Sequence, residues 1–93
     1  MITVNNKKIV INFNFTEDPF KGQCTLEFYE DGTLKNYHGT ILTDEGPIGM
    51  FTSSRKDVNN VEMRTFKGDI SKMELAILTI KKVVDDAIEQ ANK

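Results

Sequence analysis

The segment SKMELAILTIKKVVDDAIEQANK, residues 71–93, decides how this chain folds. Projected at 100° per residue, Met73, Ala76, Ile77, Ile80, Val83, Val84, Ala87, Ile88 and Ala91 share one stripe about 140° wide. Lys81, Lys82, Asp85, Asp86 and Glu89 take the opposite side. This period predicts an amphipathic helix over residues 71–91. Ser71 with Glu74 three positions on reads as a capping box, in which the hydroxyl and the carboxylate each accept from an orphan backbone N–H. The β-branched run between Ile77 and Val84 propagates a helix poorly, so burial of the stripe against another layer has to hold it. Leu75 and Leu78 break the pattern and fall on the polar side. Two explanations stay open for them: a loop folded over the pair, or a contact with a second subunit.

Upstream of the helix the period is two, not 3.6. Ile9, Ile11, Phe13 and Phe15 alternate with Val10, Asn12 and Asn14, the mark of a sheet with one wet face. Residues 1–4 and 8–15 read as strands joined at Asn5-Asn6. Residues 23–30 and 33–43 read as a hairpin turned at Asp31-Gly32, a strong two-residue signal. Asp44-Glu45-Gly46-Pro47 makes the next turn, 48–53 is a strand, 54–60 a polar loop and 61–66 the last strand. The expected fold is α+β, an antiparallel β-meander of about five strands packed against one long C-terminal helix. It forms a single domain over residues 1–93, with strands in 1–67 and the helix at 71–91. The helix stripe is expected to cover Ile9, Ile11, Phe13, Leu26 and Phe28.

Ninety-three residues bury roughly 60–65% of the surface exposed by the unfolded chain, enough for one modest core and no deep cleft. One cysteine excludes an internal disulfide scaffold. No apolar run suits a signal peptide or a membrane span, so the expectation is a cytoplasmic protein without membrane association. Twelve Lys and Arg stand against 14 Asp and Glu. That balance opposes strong non-specific attraction to nucleic acid but leaves room for a local basic patch.

Catalysis finds little support. A two-residue turn at Asp31-Gly32 pairs Thr25 with His38 and Cys24 with Gly39, which sets Cys24 and His38 on opposite faces of the sheet. A one-residue slip would bring the two onto one face as a nucleophile and base, but it would set Leu26 against His38 instead of Tyr37. One His and one Cys do not make a zinc site, and the acidic pairs lack the spacing of a calcium loop. No catalytic residue, metal or cofactor is expected, and the chain reads as a binding protein.

The candidate site is Thr52-Ser53-Ser54-Arg55-Lys56. Short hydroxyl donors beside two cations suit phosphate oxygens. Arg64 and Lys67 on the returning strand would extend the same edge. A plain hairpin tip kept polar by solvent has the same composition. Phe51, Tyr29 and Tyr37 supply rings that stack on bases if exposed, and core packing if not.

The segment HGTILTDEGPIGMFTSSRK, residues 38–56, resembles the central part of the SpoVG family of small bacterial regulators. The shared pattern is a strand with a His, an acidic-Gly turn, a Gly-apolar-Phe strand and a Ser-basic-basic tip. A further strand and a C-terminal helix follow, so the likeness covers roughly residues 20–90. Where the family reads Met-Pro-Ser before its basic pair, this chain has Thr52-Ser53-Ser54. The resemblance implies a dimeric nucleic-acid-binding regulator whose tip, here Ser54, Arg55 and Lys56, contacts the backbone of DNA or RNA. Two functions are therefore carried forward. One is a non-enzymatic nucleic-acid-binding homodimer with Ser53, Ser54, Arg55, Lys56, Arg64 and Lys67 at the nucleic acid and Leu75 and Leu78 at the subunit interface. The other is a protein-interaction module, such as a small phage- or mobile-element-type inhibitor of a host protein.

Overall fold

A computed structural model describes residues 7–15 and 20–91. Five strands form one antiparallel sheet in the order of the chain: β1 (Lys7–Asn14), β2 (Lys21–Phe28), β3 (Leu34–Thr43), β4 (Gly46–Ser53) and β5 (Val61–Phe66). A single helix, α1 (Ile70–Ala91), follows. The fold is thus the α+β meander with one C-terminal helix that the two periodicities predict. The expected strand at 1–4 and its Asn5-Asn6 turn lie outside the described residues.

Alternation along the strands divides the sheet into a core face and a wet face. Cys24, Leu26 and Phe28 of β2, Leu34, Tyr37 and Ile41 of β3, and Phe51 of β4 are buried with Ala76, Ile80, Val84 and Ala87 of α1. Ile9, Ile11 and Phe13 pack against this cluster but stay half-buried. Of the five residues expected beneath the helix, Leu26 and Phe28 are fully buried, while the three of β1 lie at a less completely covered edge. Three of the strand glycines sit directly opposite a phenylalanine: Phe13 on Gly22, Phe51 on Gly39 and Phe66 on Gly49. The rings lie where a Cβ would project, so the missing side chain makes room for the aromatic neighbour.

The β2–β3 register is the one counted from sequence, Thr25 to His38 and Cys24 to Gly39. It arises from two departures that cancel. The connection is a three-residue loop, closed by Gly32 N–H donating to the Tyr29 carbonyl (3.0 Å) and Tyr29 N–H to the Thr33 carbonyl (2.8 Å). Gly32 takes the positive φ of 90° that this turn requires. One pair further on, Phe28 faces Leu34 while Glu27 faces Asn36, leaving Lys35 as an extra residue in a β-bulge. The longer loop and the extra residue restore the expected pairing. Cys24 is buried and His38 exposed, on opposite faces.

Boundaries differ as well: β2 covers Lys21–Phe28 where the alternation predicts 23–30. Gly46 and Pro47 open β4 and do not belong to the turn, which is Asp44-Glu45 alone. Proline is accepted there because it sits at a strand start beside the bulged Ile48. The helix begins one residue early, with Met73 N–H donating to the Asp69 carbonyl (3.0 Å). Asp69 thus holds the cap position, and Ser71 lies inside the first turn with no capping box.

Candidate nucleic-acid interface

Loop 54–60 is a built structure. Ser54 N–H donates to the Asn60 carbonyl (2.8 Å), which closes its base. Asn60 N–H donates to the Asp57 carbonyl (2.9 Å). The Asp57 carboxylate accepts from Asn59 N–H (3.1 Å) and Asn60 Nδ2 (2.8 Å). Lys56 N–H donates to Ser54 Oγ (3.2 Å), a local side-chain turn that sets the Arg55-Lys56 step. Both cations are exposed. Among the described residues neither lies within ion-pair distance of a carboxylate, and Asp57 is spent inside the loop.

A shallow groove of about 630 Å³ runs from this loop across the wet face. Its floor is Asn36, His38 and Thr52, and its walls include Glu27, Lys35, Ser54, Arg55 and Arg64. Thr52 Oγ1 donates to the Tyr37 carbonyl (3.1 Å), which steadies the floor between β3 and β4. Lys56 and Glu62 join Ser54, Arg55 and Arg64 around an adjoining hollow of about 490 Å³.

Bulges aim two of the groove cations. In β5, Met50 faces Thr65 while Phe51 faces Met63, so Arg64 is the extra residue there, as Lys35 is in β3. Each bulge turns two successive residues to the wet face, and in both cases the surplus one is a cation lining the groove. Arg64 meets Glu62 at 3.9 Å and Lys8 meets Glu27 at 4.0 Å. The Arg64–Glu62 pair is about half exposed on both sides, so it binds weakly, within about 1 kcal/mol, and leaves the guanidinium available to a stronger acceptor.

The six residues proposed from sequence are not all brought together. Ser54, Arg55, Lys56 and Arg64 converge. Ser53 also lines the groove but is buried, and its hydroxyl accepts from Tyr37 N–H (3.4 Å), which occupies one of its lone pairs within the sheet. Lys67 follows the far end of β5, six residues from Val61 and so roughly 20 Å along the strand. Its backbone N–H donates to the Ile48 carbonyl (2.7 Å). Phe51 and Tyr37 are core residues and offer no stacking surface; of the eight aromatic residues only Tyr29 is exposed. Lys35, Asn36 and His38 were missed. Their signal was the odd spacing of Leu34 and Tyr37, two apolar residues three apart on one strand, which reach the same face only across a bulge.

Leu75 and Leu78 are 48% and 64% exposed, so no described loop covers them. No helix among the described residues is long and apolar enough to cross a membrane. Comparison with protein-family models, with characterised proteins and with solved structures finds no match.

Proposed function

We propose that this protein is a non-enzymatic nucleic-acid-binding regulator, cytoplasmic and homodimeric, that holds backbone phosphates in the groove beside loop 54–60. The observation carrying this reading is the convergence of Lys35, Arg55 and Arg64, from three separate elements, on one open groove floored by hydrogen-bonding side chains. The net charge of −2 does not oppose it: Glu27 and Glu62 line the groove and its adjoining hollow, but seven other acids lie away from them. Glu30, Asp31, Asp44 and Glu45 sit in the hairpin turns, and Asp85, Asp86 and Glu89 on the outer side of α1. Leu75 and Leu78 are the assigned subunit contact.

Titration of labelled DNA and RNA by fluorescence anisotropy at several salt concentrations tests the site. Replacing Arg55 and Lys56 together with Glu is expected to weaken binding at least tenfold and to flatten the dependence of affinity on salt, since fewer counterions are released. Unchanged affinity in that variant rejects the loop.

A protein-interaction module, for instance an inhibitor of a host protein, is favoured by a different observation. Ile70, Leu75 and Leu78 expose 71%, 48% and 64% of their surface near the start of α1. A single stoichiometric protein recovered from extract with no nucleic acid, and lost on Leu75→Lys, would favour that reading.

A further inference from the structure

We infer that the groove takes single-stranded nucleic acid, with one unstacked base laid on Tyr29 at the end opposite Arg55 and Arg64. This rests on the phosphate-binding reading of the groove and adds to it the class of strand and a base subsite. Tyr29 is 46% exposed and follows the buried Phe28 in extended chain, which turns its ring to the same face as Glu27. Lys35 stands over that ring, its Nζ 5.9 Å from the centroid, and Lys35 and Glu27 both line the groove. The ring is therefore joined to the groove through a shared cation. From β2 to β5 is three strand spacings, roughly 14 Å. A short stretch of strand spans that distance with its phosphates on Arg55 and Arg64 and a base on Tyr29.

The chemistry favours a single strand over a duplex. A ring offers stacking only to a base already out of a helix, and stacking on one aromatic tolerates any base. Lys35 serves both partners: its ammonium rests on the tyrosine ring and points its charge at the phosphate next to the stacked base. Asn36 and His38 on the floor supply hydrogen bonds to sugar or base edges.

The absence of tryptophan makes the test direct, because emission comes only from Tyr29 and the buried Tyr37. The probes are a 15-nucleotide oligodeoxythymidylate, its ribouridylate equivalent and a 15-base-pair duplex. Wild type is expected to bind the single strands at least tenfold tighter than the duplex and to lose tyrosine emission on binding. Tyr29→Ala is expected to lose about tenfold in single-strand affinity with the salt slope unchanged, because stacking releases no counterions. Tyr29→Phe is expected to bind like wild type, and thermal melting checks that both variants fold. If Tyr29→Ala binds as wild type while Arg55→Glu/Lys56→Glu does not, the base subsite is rejected and the phosphate groove stands. If the duplex binds tighter with emission unquenched, the single-strand assignment is rejected. If wild type binds none of the three probes, the phosphate reading falls and this inference with it.

Discussion

Tyr37 sits fully buried between sheet and helix, and its hydroxyl has no hydrogen-bond partner among the described residues. A buried hydroxyl left unpaired costs about 1–3 kcal/mol, so the ring is kept for its size and not for its oxygen. Burial, with Cys24, Asp85 and Asp57 nearby, holds the phenol protonated above its ordinary range. Burial likewise pushes the Cys24 thiol up to about 12. In the unfolded chain the thiol releases its proton near pH 8.5 and the phenol near pH 10, while the folded chain keeps both. The unfolded state then binds fewer protons, and stability is lost as pH rises through this window. Tyr37→Phe is expected to melt at or above the wild-type temperature at pH 7 and to lose less stability between pH 8 and 11. A fall of several degrees at pH 7 would mean that the hydroxyl has a partner after all.

Among the elements, the strands and the helix were legible because hydrophobic period survives local irregularity. Ile9, Ile11 and Phe13 mark a strand whether or not their neighbours are bulged. Bulges were not legible to a reading that assumed strict alternation. Leu34 with Tyr37, and Met63 with Phe66, each show an odd interval that needs one surplus residue, and those residues are Lys35 and Arg64. The basic tip could be read from composition, whereas the far half of the groove could not. The helix start was misplaced for a different reason. Ser71 and Glu74 satisfy a capping box on paper, but Asp69, after Gly68 with its φ of 159°, reaches the cap position first. Asp69→Ala is expected to cost about 1 kcal/mol in urea unfolding. Ser71→Ala should cost no more than a few tenths, since a residue inside the first turn caps nothing. The reverse order would restore the sequence-based boundary.

At the scale of the whole molecule, the sheet has one covered face and one open face, and the two proposed surfaces lie apart. The groove occupies the wet face, while Leu75 and Leu78 stand on the side of the helix turned away from the sheet. A dimer joined through the leucines would leave both grooves open. Stable interfaces bury about 1,600 Å² in total, and a contact centred on two leucines is smaller, so association is expected to be weak and to rise with concentration. In sedimentation velocity over a hundredfold concentration range, wild type should shift toward dimer and Leu75→Lys should remain monomeric. A monomer throughout would remove the subunit role from both leucines.

The cancelling turn and bulge carry a consequence for how such a chain can change. Lys35 and Arg64 sit in places the ladder does not count, so removing either lets its neighbours close up while every other pair keeps its partner. Residues that hold the sheet in step are bound by that arithmetic, and the two bulged cations are exempt from it. Variation can therefore trade the groove's cations, or drop one, without renumbering the sheet beneath them.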